Sequence, residues 1–65
     1  SVYAEAQRLH FEHALTLMAE PALSLSEIAY ASGFGSLSAF SSAFRRHHGT
    51  TPTEYRLRLT GSRQN

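Results

Sequence analysis

A chain of 65 residues with 42% apolar side chains suits one small packed domain and argues against disorder, since globular domains hold about 45–50% apolar residues. The absence of cysteine excludes disulfides and thiolate metal sites, leaves helix packing to hold a marginal core, and is compatible with a reducing, cytoplasmic setting. No apolar run approaches the ~18 residues that span a bilayer, and no basic-then-apolar leader opens the chain, so no membrane contact is expected.

The net charge of +1 hides an asymmetry. In residues 1–35 Arg8 stands against Glu5, Glu12, Glu20 and Glu27, a balance of −3, whereas in residues 36–65 Arg45, Arg46, Arg56, Arg58 and Arg63 stand against Glu54, a balance of +4. A surface for a polyanion would therefore be C-terminal.

From Val2 to about Ala19 there is neither Gly nor Pro, and two apolar stripes recur at helical spacing. Val2, Ala6, Leu9 and His13 form one; Ala4, Phe11, Leu15 and Met18 form the other, predicting a long helix with a surface wide enough to be contacted from two sides. Glu20-Pro21 ends it, because proline lacks an amide hydrogen and disfavours helical geometry in the residue before it.

Ser24-Leu25-Ser26-Glu27 has the capping-box pattern, so a second, short helix starts at Leu25 with Leu25, Ile28 and Ala29 inward. It stops at Gly33, where a left-handed backbone carries no Cβ strain, and Phe34 follows as a buried plug. Ser36 caps a third helix whose apolar set Leu37, Phe40, Ala43 and Phe44 runs until Gly49. Thr51-Pro52-Thr53-Glu54 repeats the capping logic and opens a fourth helix to about Leu59, with Tyr55 and Leu59 on one face. Residues 60–65 read as a polar tail.

Two short helices joined by a tight turn containing glycine are the signature of a helix-turn-helix, whose second helix enters the major groove of DNA with its N-terminal residues leading. The predicted fold is all-α and homeodomain-like, with about four helices: residues 1–19, the helix-turn-helix at 24–48, and a C-terminal helix at 51–59.

Three stretches carry a more specific resemblance: Ser24-Leu25-Ser26-Glu27-Ile28-Ala29; Gly33-Phe34; and Ser36-Leu37-Ser38-Ala39-Phe40-Ser41-Ser42-Ala43-Phe44-Arg45-Arg46. With Gly49-Thr50-Thr51-Pro52-Thr53-Glu54-Tyr55-Arg56 they resemble the AraC/XylS family of bacterial transcription regulators over roughly residues 7–58. The resemblance implies that residues 1–19 are the linker helix between two helix-turn-helix units and that this is the second unit. It further implies a parent protein with a first unit and an effector-binding or dimerisation domain, double-stranded DNA as partner, and a contact with the sigma subunit of RNA polymerase.

Carried over position by position, the resemblance makes Leu37, Ser38, Ser41 and Ser42 exposed base-edge candidates, with Arg45 and Arg46 one turn further beside the backbone. Ser36, Thr51 and Thr53 stand at helix starts, where hydroxyls and free amides hold phosphate. Two positions depart from the family. Serine at 42 replaces a long polar or basic side chain and cannot make a bidentate guanine contact, which contributes about 1–3 kcal/mol of discrimination; His10 replaces an arginine of the linker helix. Direct readout is therefore modest, and specificity leans on the first unit and on DNA shape.

Plainer readings stand beside these. Arg45 and Arg46 could simply complement the helix dipole. Leu37 fits either a thymine methyl or the core, and Arg56 and Arg58 either DNA or a local carboxylate such as Glu54, while Arg63 reads as tail. Phe34, Phe40 and Phe44 read as packing. His10, His13, His47 and His48 lack the companion ligands of a zinc site, and no nucleophile elbow or phosphate loop is present, so neither metal, cofactor nor catalysis is expected. The alternative function is a protein-interaction module that docks a partner helix on the apolar face of residues 2–19.

Overall fold

The computed structural model describes residues 1–61. Its helices are α1 (Val2–Met18), α2 (Leu25–Ala31), α3 (Leu37–His48) and α4 (Pro52–Thr60), with no strand among the described residues. The fold is all-α, as the spacing predicts.

Each helix start is satisfied by a side chain. The Ser1 hydroxyl accepts from the Ala4 amide at 3.2 Å, a cap the sequence reading did not include. At α2 the Glu27 amide donates to the Ser24 hydroxyl (3.1 Å) and the Ser24 amide donates to the Glu27 carboxylate (2.8 Å), so two orphan donors are satisfied reciprocally. The predicted box at Thr51 and Glu54 forms likewise, at 3.1 and 3.2 Å.

Two glycines end helices in the left-handed region, Gly33 with φ +90° and Gly49 with φ +74°. At the end of α2 the Gly33 amide donates to the Tyr30 carbonyl and the Phe34 amide to the Ala29 carbonyl, the paired bonds of a Schellman turn. A Cβ on Gly33 would lie 3.0 Å from His10 Cε1. This turn therefore excludes side chains both by backbone conformation and by the approach of α1.

The core gathers Phe11, Ala14 and Met18 from α1, Ile28 and Ala29 from α2, and Phe40, Ala43 and Phe44 from α3. A file of aromatic rings crosses it, with centroids 5.5 Å apart for Phe11–Phe34, 5.3 Å for Phe34–Phe40, 5.6 Å for Phe40–Phe44 and 5.6 Å for Phe44–Tyr55. Such tilted and edge-on pairs add about 0.5–1.5 kcal/mol each beyond the area they bury. The file ties α1, α3 and α4, with the turn that follows α2, to one small core. Phe34 is half-buried rather than the buried plug expected, because it stands in the turn with one side left open.

The two stripes of α1 fare differently. Phe11 and Met18 are buried and Leu15 half-buried, while Val2, Ala6, Leu9 and His13, together with Ala4 near the N-terminus, are exposed. Only the C-terminal part of one face meets α2 and the end of α3. Leu59 is also exposed, since α4 is held through Pro52 and Tyr55 near its start.

Candidate nucleic-acid interface

The geometry of α3 follows from its buried face. At about 100° per residue, Phe40, Ala43 and Phe44 point into the core, which sets Ser38, Ser42 and Arg45 on the opposite side. Ser41 flanks that face on one edge and Arg46 on the other, while Leu37 stands beyond Ser41 toward the core side, partly exposed at the open first turn. Ser38, Ser42, Arg45 and Arg46 are exposed, Leu37 is 37% exposed, and Ser41 is half-buried rather than exposed as expected. Ser41 loses exposure because it lies nearer the core side than Ser38 or Ser42 do. Leu37, which the sequence left between core and surface, lies outside the core cluster.

The ends of α3 differ from those of its neighbours. Its first turn contains no acid, whereas α2 and α4 carry Glu27 and Glu54 there. Ser36 is half-buried and its hydroxyl accepts from the Ala39 amide at 3.1 Å, leaving its own proton available. The last turn carries Arg45 and Arg46, and no carboxylate among the described residues forms an ion pair with either.

His47 and His48 turn the other way. The His47 ring lies 4.2 Å from Phe11 and the His48 ring 4.4 Å from Phe44, centroid to centroid. Burial, and then the neighbouring charge of His47, pushes the His48 imidazole below its ordinary value. They pack α1 and α4 against the end of α3, a role the sequence reading missed; the i+4 spacing of His47 from Ala43 and His48 from Phe44 was its signal.

At the start of α4, Thr53 is exposed, but Thr51 is already engaged with Glu54 in both directions. The Glu54 carboxylate also accepts from the Thr50 hydroxyl at 2.8 Å. These bonds, that from Thr50 foremost and the Thr51 amide next, hold its carboxyl below the ordinary range, so a negative charge already sits at this helix start. Arg56 donates to the backbone carbonyl of Glu20 at 2.7 Å and so braces the fold. Arg58 forms no ion pair with Glu54. Arg63 lies outside the described residues.

His10, where the family resemblance implies arginine, is half-buried with its ring edge-on to Phe34 at 6.2 Å. It covers the turn between α2 and α3. On the exposed side of α1, Arg8 pairs with Glu5 and, at 2.6 Å, with Glu12. Among the described residues no three His, Asp or Glu side chains gather as a metal site would require, and no helix is long and apolar enough to cross a membrane.

A family described as a helix-turn-helix domain matches residues 1–58. The chain belongs to this family, in its AraC-type form. It is 42% identical over 52 residues to the HTH-type transcriptional regulator GlxA of Rhizobium meliloti, covering 80% of this chain and 16% of that protein. It is 45% identical over 50 residues to the probable transcriptional regulator LumQ of Photobacterium leiognathi, covering 77% and 20%. It is 36% identical over 53 residues to the TCP pilus virulence regulatory protein of Vibrio cholerae, covering 82% and 19%. No solved structure matches the chain. As an AraC-type helix-turn-helix domain, the chain is a DNA-binding unit of the kind that serves transcription regulation, and it spans about a fifth or less of the length of these relatives.

Proposed function

We propose that the chain is the second helix-turn-helix unit of a transcription regulator, with α3 inserted in the major groove of its operator and α1 serving as the linker helix to a first unit. The observation that carries this reading is the division of α3: one face is core, and the other presents Ser38, Ser42 and Arg45, with Arg46 at its edge, free of carboxylate partners among the described residues. Arg45 and Arg46 reach the phosphate backbone and fix register, while the first two turns of α3 meet base edges. Ser36, with the open first turn of α3, and the exposed hydroxyl of Thr53 add phosphate contacts; Thr51 contributes through the cap it forms with Glu54. In the parent protein a first unit and an effector-binding or dimerisation domain supply the remaining specificity and control, and operator occupancy recruits or blocks RNA polymerase, with its sigma subunit as the point of contact.

The test is fluorescence anisotropy of the chain on duplex DNA, titrated with salt. Binding weakens as salt rises, with a slope of about −0.9 per phosphate neutralised, and Arg45→Ala with Arg46→Ala flattens that slope by about two. No binding at low salt by the folded chain would overturn the reading for this unit.

Val2 and Leu9, on one face of α1, stand 89% and 51% exposed, which favours a second reading in which this face docks an apolar partner helix. Leu9→Glu would abolish such docking and leave the salt-dependent DNA affinity unchanged. The two arginine substitutions would do the reverse.

A further inference from the structure

Resting on the major-groove reading, we infer that Leu37 makes this unit a reader of thymine methyl groups, so that its preferred DNA is an A·T-rich segment recognised by apolar contact rather than by bidentate hydrogen bonds. Leu37 is the first residue of α3, 37% exposed and outside the core cluster. It begins a row, Leu37–Ser41–Arg45, in which each residue stands one helical turn beyond the last. Ser38 and Ser42 form the adjacent row. The leading end of α3 thus offers one branched apolar side chain among hydroxyls, followed by a guanidinium two turns on.

The major groove presents distinct groups at each base pair. Guanine is read by the forked donors of Arg or by Lys, adenine by the amide of Asn or Gln, and cytosine by a carboxylate; none of these side chains occurs between Leu37 and Phe44. The group left for a branched aliphatic side chain is the C5 methyl of thymine. Serine hydroxyls accept or donate and so tolerate any base. Leu37 therefore supplies the base preference in these turns, and Arg45 the anchorage.

The methyl can be removed without changing any hydrogen-bonding edge by placing deoxyuridine where thymidine stood. Two A·T-rich duplexes of identical order, one with thymidine and one with deoxyuridine throughout, are titrated with the chain at low salt. The thymidine duplex binds more tightly, by about fourfold for each methyl group buried. Leu37→Ala and Leu37→Gln remove the difference between the duplexes while keeping the salt slope set by Arg45 and Arg46, with helix content followed by circular dichroism. A chain that binds both duplexes equally, with its salt slope intact, overturns the methyl-reading role and leaves the DNA reading standing. A difference that persists in both variants also overturns it. Binding to neither duplex overturns the DNA reading itself.

Discussion

The guanidinium of Arg56 on α4 donates to the backbone carbonyl of Glu20, just beyond α1, at 2.7 Å. Glu20 stands past the end of α1, and its carbonyl, which also accepts from the Leu23 amide at 3.2 Å, gains a charged donor from the C-terminal helix. The bond braces α4 against the α1–α2 connection. Hydrogen bonds to charged groups contribute about 1.5–3 kcal/mol, reduced here because Arg56 is half-exposed. Arg56→Ala is expected to cost about 1 kcal/mol and to lower Tm by about 4–8 °C. Under conditions where the variant is folded, its DNA affinity and salt slope should match the parent chain. An affinity loss without a melting change would show that Arg56 works on DNA instead.

At Gly33 two penalties coincide. A left-handed backbone costs an L-residue about 1–2 kcal/mol, and a Cβ would also press on His10 at 3.0 Å. Gly33→Val should therefore destabilise by more than the backbone term alone. Combining Gly33→Val with His10→Ala should show a favourable coupling in denaturant melts, since one part of the penalty disappears with the imidazole. Strict additivity of the two substitutions would mean that the ring moves aside at no cost.

The acid side of the stability profile has two limbs. His48 is depressed below 6.5 by burial and by His47, so the unfolded chain takes up its proton first. The stability His48 contributes is fully present above about pH 6.5 and is lost as pH falls below that toward its folded value. Glu54 is depressed below 4.5, so its contribution is present above that value and lost as pH falls through its folded value. Melting followed against pH should show Tm declining in both ranges. His48→Gln should remove the upper decline, and Glu54→Gln the lower. A His48→Gln profile superimposable on the parent near pH 6 would dismiss the first assignment.

The elements were legible because their punctuation is local. Ser24 with Glu27 and Thr51 with Glu54 announce helix starts through bonds that span three residues, and Gly33 and Gly49 announce ends through a conformation glycine adopts without strain. The inward face of α3 follows from spacing alone. What escaped was long-range or partial. Nothing near Arg56 points to Glu20, and the i+4 spacing that sets His48 beside Phe44 gives no notice that the His47 ring will lie on Phe11 of another helix. Burial of Phe34 and Ser41 depends on which neighbours leave a side open, and Leu37 fits the core and the surface equally well by period.

The two stripes of α1 supply a contrast between residues two positions apart. Phe11 is 4% exposed and touches Phe34, His47 and His48, whereas Leu9 is 51% exposed and outside the core. Removing a buried phenyl ring costs about 3–5 kcal/mol. In chains below about 70–80 residues a single core rarely supplies more than about 3–5 kcal/mol of net stability, so this loss matches the whole of it. Phe11→Ala is therefore expected to leave the chain largely unfolded at room temperature by circular dichroism. Leu9→Ala should change stability by no more than about 0.5 kcal/mol, as exposed substitutions usually do. If Leu9→Ala proved as costly as Phe11→Ala, the exposed stripe would have to be covered in solution, and a melting temperature that rises with chain concentration would then identify a second copy of the chain as the cover.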